Sequence, residues 1–480
     1  MLNERANKVA EVIEQAVSSL ASTLSTSYGP KGLDKMLIQD KNTIITNDGA
    51  TIMGFYKTHP IHKILSSVSS TQDVNCGDGT TSVILLIGFI MEKLKKLKEK
   101  EIDPSKIVQA LEISKKMALG YIDSIRVQVG EKEFLNVALT TLNSKIASKS
   151  LKMAHVSIDA LKLSKKEDIR VLKRVGGNID DIELYNGILL NTQAEVNEGK
   201  AKALIVQFCI SAPKPNMDSK ILIDDYRLME KFVKEEREYV INILKKIKNS
   251  GANLVIIQKS LLRESCSELA QHFLRKLGIS FIDGVDRKEI EVLAKALNVR
   301  PISDVDLIGE PVDVDIRKLK GMVEISGVGC SIIVSGCDET VVDEAERSLN
   351  DCLCVIKTLM EEPYIVPGAG SVETGISCIL NEYVGPHSLI IREIAEGFLG
   401  MPHLLAQSAG LYSVDIISNL KKNVAINKHM GISLRTGTIA DMVNDDDVIQ
   451  PALVSKSMIS LAIETAQMLV RIDDILPAVN

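Results

Sequence analysis

Cys76-Gly77-Asp78-Gly79-Thr80-Thr81-Ser82 separates two helical patterns and opens the most apolar run noted in the chain, Val83 to Met91. Glycines two residues apart allow a tight turn, and a turn at a helix start aims backbone N–H groups and the positive end of the helix dipole at an anion. Asp78, flanked by both glycines, is free to reach a metal, while Thr80 and Thr81 add hydroxyls and helix-start amides. An aspartate at this place also has a plain structural use as a helix cap. The turn alone does not choose between the two. Val83–Met91 is about half as long as a membrane crossing requires and is followed by Lys93, Lys95 and Lys96, so it reads as a buried helix.

Upstream, Val9, Val12, Ile13, Ala16, Val17, Leu20 and Leu24 place one apolar stripe on a helix. It ends at Ser27-Tyr28-Gly29-Pro30-Lys31-Gly32, where two glycines and a proline stop the helix and let amides turn toward a ligand. Lys35 to Ile45 alternates as a β-hairpin closing at Thr46-Asn47-Asp48-Gly49. From Pro60 to Ile125 the period is helical again, apart from the glycine turn.

The middle of the chain changes character. Strand-like runs at Ala203–Cys209, Leu254–Ile257, Ile279–Ile282 and Ser331–Val334 are separated by helical stretches at Leu228–Ile247, Ser267–Leu277 and Lys288–Leu297, which makes an α/β domain. After Val342 long helices return, interrupted by Val366-Pro367-Gly368-Ala369-Gly370 and by Gly431-Ile432-Ser433 with Gly437. The simplest architecture is nested, with a helical domain made from both ends of the chain and the α/β domain inserted between them.

At 480 residues the chain exceeds what one core usually supports, so two or three domains are expected. A composition 45% hydrophobic and 25% charged is that of a soluble globular protein. The net charge of −6 lacks a long block of one sign, which argues against a nucleic-acid or anionic-membrane surface. The charged N-terminus carries no cleavable apolar signal, and the eight scattered cysteines read as reduced, largely buried thiols, so a cytoplasmic location is expected.

Neither G-x-x-x-x-G-K-[ST] nor a G-x-G-x-x-G fingerprint after a strand occurs, so any nucleotide is held by another route. Asp48 sits in Asn47-Asp48-Gly49, which is also a common hairpin turn. Asp351 falls among Leu349, Cys352 and Leu353, an uncomfortable place for a carboxylate unless it lies on a solvated helix face. Lys145 reads locally as a surface lysine. The seven histidines show no H-x-x-x-H or H-E-x-x-H spacing, which removes support for a zinc hydrolase.

The joint order of these fragments resembles the group II chaperonins along essentially the whole chain. Gly29-Pro30-Lys31-Gly32, Thr46-Asn47-Asp48-Gly49-Ala50-Thr51 and Gly77-Asp78-Gly79-Thr80-Thr81 are similar to that family's nucleotide-site signatures in the same succession. Glu344 to Asp351, Gly368-Ala369-Gly370 and Arg471-Ile472-Asp473-Asp474 are similar to its second half. Leu142 to Lys145, Gly176 to Asp181 and Gln207 to Lys214 resemble the delta-type branch of the eukaryotic cytosolic chaperonin.

The resemblance implies a multidomain α and α/β fold: a helical equatorial domain (1–129 and 371–480), a small intermediate domain (130–199 and 336–370) and an inserted α/β apical domain (200–335). A helical protrusion is expected near Ser211 to Asp225. It also implies a cytoplasmic ATPase that folds client proteins such as actin and tubulin, in an eight-membered double ring with paralogous subunits and with no nucleic acid or membrane partner. Asp78 becomes the Mg2+ ligand, and Ser27, Gly29, Pro30, Gly32, Gly79, Thr80, Thr81 and Ser82 contact the ATP phosphates. Asp48 and Asp351 position and activate water, and Lys145 senses the γ-phosphate. Gly370, Gly410 and Gln450 lie at the ribose and adenine end. The alternative is a ring subunit that binds nucleotide and client but hydrolyses ATP slowly or not at all. The presence of all three aspartates favours the active form.

Overall fold

The computed structural model describes residues 2–39, 42–57, 59–100, 102–145, 151–192, 194–211, 226–260, 264–319 and 321–475. The chain divides into two compact units, one made of Met1–Ile158, Lys173–Asp181 and Val334–Asn480, the other of Asp159–Leu172 and Ile182–Ile333.

In the first unit, α1 (Leu2–Ser25) buries Ile13, Val17, Leu20 and Leu24 as one stripe. Val12, expected on that stripe, is exposed. Next come β1 (Lys35–Gln39) and β2 (Asn42–Thr46), an antiparallel pair with Lys35 opposite Thr46. The hairpin does not close at residues 46–49: that segment leads out of β2 into α2 (Gly49–Phe55), with Asp48 as its N-cap. The helices α3 (Pro60–Cys76), α4 (Thr80–Glu99) and α5 (Pro104–Ile125) follow. Pro60 and Pro104 each stand in a first helical turn, where the missing N–H costs nothing, and Asp103 caps α5 by accepting from Ser105 N at 2.8 Å. In α4, Val83, Ile84, Leu85, Leu86 and Ile87 are all fully buried, so this helix is apolar on every side because it is surrounded. After β3 (Val127–Gln128) come α6 (Glu131–Leu142) and α7 (Leu151–Leu163).

The α/β part holds β4 (Ile169–Val175), β5 (Glu183–Leu190), β6 (Ala194–Glu195), β7 (Gly199–Val206), α8 (Tyr226–Asn249), β8 (Leu254–Gln258), α9 (Glu268–Leu277), β9 (Ser280–Val285), α10 (Arg287–Ala296), β10 (Val312–Leu319) and β11 (Met322–Gly336). Their sheet runs β4-β11-β10-β7-β8-β9-β6, with β5 also on β11. The pairs β7–β8 and β8–β9 are parallel, and α8 and α9 make the crossovers that parallel pairing demands. Alternate residues of β8 serve opposite faces. Leu254 and Ile256 pack with Ile290 and Leu293 of α10, while Val255 and Ile257 pack with Ile243, Leu244 and Ile247 of α8.

Four strands of this sheet, β4, β5, β10 and the two-residue β6, were not expected from the sequence. Two of them, β4 and β5, carry mixed patterns, whereas β10 alternates with Val314 and Ile316 inward and was legible. The expected strand at Ser331–Val334 is the end of the long β11, and β7 stops at Val206 rather than Cys209. Residues 212–225, most of the expected protrusion, lie outside the described residues.

The first unit resumes with α11 (Glu339–Glu361), β12 (Tyr364–Pro367), α12 (Ser371–Glu382), α13 (Ser388–Phe398), α14 (Gly400–Ser408), α15 (Ser413–Ile426), β13 (Met430–Ile432), β14 (Ile439–Asp441), β15 (Ile449–Pro451) and α16 (Ala452–Val470). Alone among the described helices, α16 is long and apolar enough to cross a membrane, and its apolar residues Val454, Met458, Ile459, Ile463 and Leu469 are buried in this unit. All of these but Val454 form one core with α1, α4, α5, α12 and α13, which joins the two ends of the chain. Leu86→Ala, at the centre of that core, is expected to cost about 2–5 kcal/mol in urea unfolding, against less than about 1.5 kcal/mol for Leu86→Met.

Candidate functional site

Three aspartates and one lysine from four separate segments meet in the first unit. The Asp48 carboxylate caps α2, accepting from Thr51 N at 2.8 Å and Ala50 N at 3.4 Å. It also accepts from the Thr51 hydroxyl at 2.8 Å and the Thr80 hydroxyl at 3.1 Å. This last bond ties the Asn47-Asp48-Gly49 segment to the start of α4. Gly49 is required there, because a Cβ would stand 2.7 Å from Thr81 N.

Asp78 is not a helix cap. Gly79 holds the cap position of α4 at φ +81°, and Asp78 Oδ1 accepts from Gly79 N at 2.6 Å. Gln72 Nε2 donates to the Asp78 carbonyl at 2.9 Å, and Ser457 Oγ donates to Gln72 Oε1 at 2.7 Å. Gln72 escaped the sequence reading, although its place on the apolar side of α3 with Leu65 and Ser69 signals a buried amide.

Asp351 lies in mid α11, and Lys145 follows α6, its N–H donating to the Leu142 carbonyl at 3.0 Å. Lys145 Nζ stands 3.0 Å from Asp351 Oδ2 and 4.0 Å from Asp48 Oδ1. Lys145 is therefore not a surface lysine, nor is Asp351 on a solvated face: their side chains are 10% and 16% exposed. Asn47 Nδ2 donates to the Ser144 carbonyl at 2.5 Å, which fixes the Lys145 segment against the Asp48 turn.

The electrostatics separate the carboxylates. Burial pushes Asp351 up to about 7 even though Lys145 opposes it. At Asp48 burial acts in the same direction but is outweighed by Lys145 and by the Thr51 and Thr80 hydrogen bonds, so this carboxyl falls below its ordinary value. Burial also raises Asp78, against Lys145 and the Gly79 N–H, with Asp48 adding to the rise. For Lys145 burial favours the neutral amine, but Asp351 and Asp48 prevail and hold it firmly protonated.

The Ser27–Gly32 loop turns back on itself. Gly32 N donates to the Gly29 carbonyl at 2.9 Å, and a Cβ on Gly32 would stand 2.5 Å from the Ser27 carbonyl. Pro30 is exposed at its tip. Ser27 is buried and its Oγ has no hydrogen-bond partner. Tyr28 bonds to Ser82, linking this loop to the first turn of α4. Gly29 abuts Leu405 of α14, and Gly370, the cap of α12, abuts Pro402 of the same helix. Gly410 stands just past α14, and Gln450 lies in β15, its Nε2 donating to Ser455 Oγ at 2.6 Å. No described hydrogen bond or ion pair joins these last three residues to the acidic cluster.

Among the described residues no group of three or more His, Cys, Asp or Glu could cage a metal. A magnesium ion bound with a phosphate needs only one or two carboxylates, the rest coming from phosphate and water. Asp78, next to the start of α4, fits that requirement.

The sequence profile of the TCP-1/cpn60 chaperonin family matches residues 20–480. The chain belongs to this family. It is 50% identical to the T-complex protein 1 subunit delta of Encephalitozoon cuniculi over the full length of both chains. To the subunits of that name from Schizosaccharomyces pombe and Homo sapiens it is 37% and 35% identical, over 96% of this chain and 94% and 92% of theirs. Within the chaperonin family it is thus most like the delta subunits, and its mixed helical and α/β content agrees with the family's fold.

Lys145→Met leaves Asp351 and Asp48 buried without their cation, so stability is expected to fall by about 3–5 kcal/mol at pH 8. The deficit is expected to shrink toward pH 5. Asp351, raised to about 7 even beside Lys145, takes up its proton at a higher pH without the lysine, and Asp48 loses the cation that lowers it, so acid relieves the folded variant more than the wild type. Urea titrations of both proteins across that range check the slope.

Proposed function

We propose that this chain is an ATP-hydrolysing chaperonin subunit. The observation that carries the reading is the Lys145-centred cluster, in which Asp48 stays anionic and Asp351 is poised near neutrality beside the start of α4. Phosphoryl transfer to water needs charge neutralisation and an aligned nucleophile more than covalent chemistry. The Ser27–Gly32 loop and the amides and hydroxyls at Thr80, Thr81 and Ser82 would cradle the phosphates. Asp78 would hold Mg2+, which would supply charge neutralisation to the phosphates. Asp48 and Asp351 orient the attacking water between them, and the ionised Asp351 draws its proton away as the bond to the γ-phosphorus forms. Lys145 stabilises the charge on the γ-phosphoryl oxygens, and the products are ADP and phosphate. Gly370, Gly410 and Gln450 remain the proposed surroundings of the sugar and base.

The relatives' shared name supports assembly with paralogous subunits into the cytosolic chaperonin, in the cytoplasm, and we extend the reading to an eight-membered double ring that folds actin and tubulin. On this reading the helical core is the equatorial domain (1–129 and 371–480), 130–199 with 336–370 the intermediate domain, and 200–335 the client-binding apical domain.

Asp351→Ala in this subunit of the assembled complex is expected to abolish its share of ATP turnover while Mg-ATP binding at its site persists. Unchanged turnover would instead mark a binding or structural subunit. In the unmodified site, kcat/KM for ATP is expected to fall on the acid side with a midpoint near 7, because Asp351 acts only as the carboxylate and kcat/KM reports groups of the free enzyme.

A further inference from the structure

Glu344 stands on α11 seven residues before Asp351, two helical turns along the same face, and its side chain is 1% exposed. Arg347, one turn on, binds Oε2. Oε1 is buried without a hydrogen bond of ordinary geometry. A half-satisfied buried carboxylate is costly, and the hydrolytic reading gives it no task.

Its neighbours suggest one. β2 runs against α11, and the last residue of β2, Thr46, is fully buried with its hydroxyl acting on this carboxylate. Thr46 Oγ1 also accepts from Asp48 N at 3.1 Å. Burial raises the pKa of Glu344, and Arg347, Lys145 and Thr46 oppose that rise. A threonine hydroxyl has a single proton. If that proton is given to Glu344, the lone pairs of Thr46 are left for the Asp48 N–H.

We propose that Glu344 is a positioning residue for ATP hydrolysis: its Oε1 takes the Thr46 proton, which makes Thr46 Oγ1 the acceptor for Asp48 N and fixes the Asp48 carboxylate between Thr51, Thr80 and Lys145. The inference rests on the hydrolytic reading of the site. It requires only that Glu344 accept a hydrogen bond, so glutamine serves in its place and alanine does not.

The test uses the assembled complex carrying variants of this subunit alone, with the turnover lost in Asp351→Ala taken as this site's share. Glu344→Ala and Thr46→Val are each expected to lower that share roughly tenfold, the loss one hydrogen bond of ordinary strength carries, with KM for ATP unchanged. The double variant should be no slower than either single one, since both break the same chain. Glu344→Gln should restore the rate to within about threefold. Wild-type turnover in Thr46→Val, or a Glu344→Gln variant as slow as Glu344→Ala, overturns the proposal. Should Glu344→Ala fail to assemble, Thr46→Val and Glu344→Gln decide it. A failure of the hydrolytic reading is separately visible, as an Asp351→Ala complex with undiminished turnover.

Discussion

A single buried cation makes the acidic site possible. Asp48, Asp78 and Asp351 bear on one another electrostatically, and carboxylates gathered out of water repel and desolvate unless something opposes both effects. Lys145 does so for all three. The answer is unequal by design of the surroundings: Asp48, also held by Thr51 and Thr80, stays ionised, while Asp351, with little beyond the lysine, is left near neutrality. Two carboxyls of the same chemical type are thereby shifted in opposite directions.

Lys145 holds that place because the peptide before it is pinned at both its polar groups, the Asn47 amide donating to the Ser144 carbonyl and the Lys145 N–H donating to the Leu142 carbonyl. The Asp48 turn in turn needs a residue without a side chain at Gly49 to approach Thr81. The start of α4 is rigid for another reason. Behind it stand five consecutive fully buried aliphatic residues, Val83 to Ile87, which anchor the start of the helix in the core. Core packing and site geometry are one construction here, and a cavity in α4 would loosen both.

The α/β unit answers a different constraint. Its parallel strands are covered on both faces, so their helices must supply apolar surface, and α8 does so only in its second half, through Val240, Ile243, Leu244 and Ile247. Its first half leaves Tyr226, Met229, Phe232 and Val233 exposed. These residues adjoin the segment 212–225 in sequence and are apolar surface that the described residues of the unit leave uncovered.

Local chemistry made much of this readable from sequence alone. Glycine turns, proline starts and an all-apolar Val83–Met91 admit few backbone solutions, so the helices of the first unit and the alternation of fold types were legible, as was the candidate status of Asp48, Asp78 and Asp351. What the residues did not disclose was which of their ordinary uses each one takes. Asn47-Asp48-Gly49 suits a hairpin turn as well as a helix cap, a lysine after a helix is usually solvated, and Gln72 and Glu344 are unremarkable letters in amphipathic patterns. Their roles depend on partners as far as 385 positions away, and only tertiary packing, by excluding water around Lys145, turns four scattered charges into one site with split protonation.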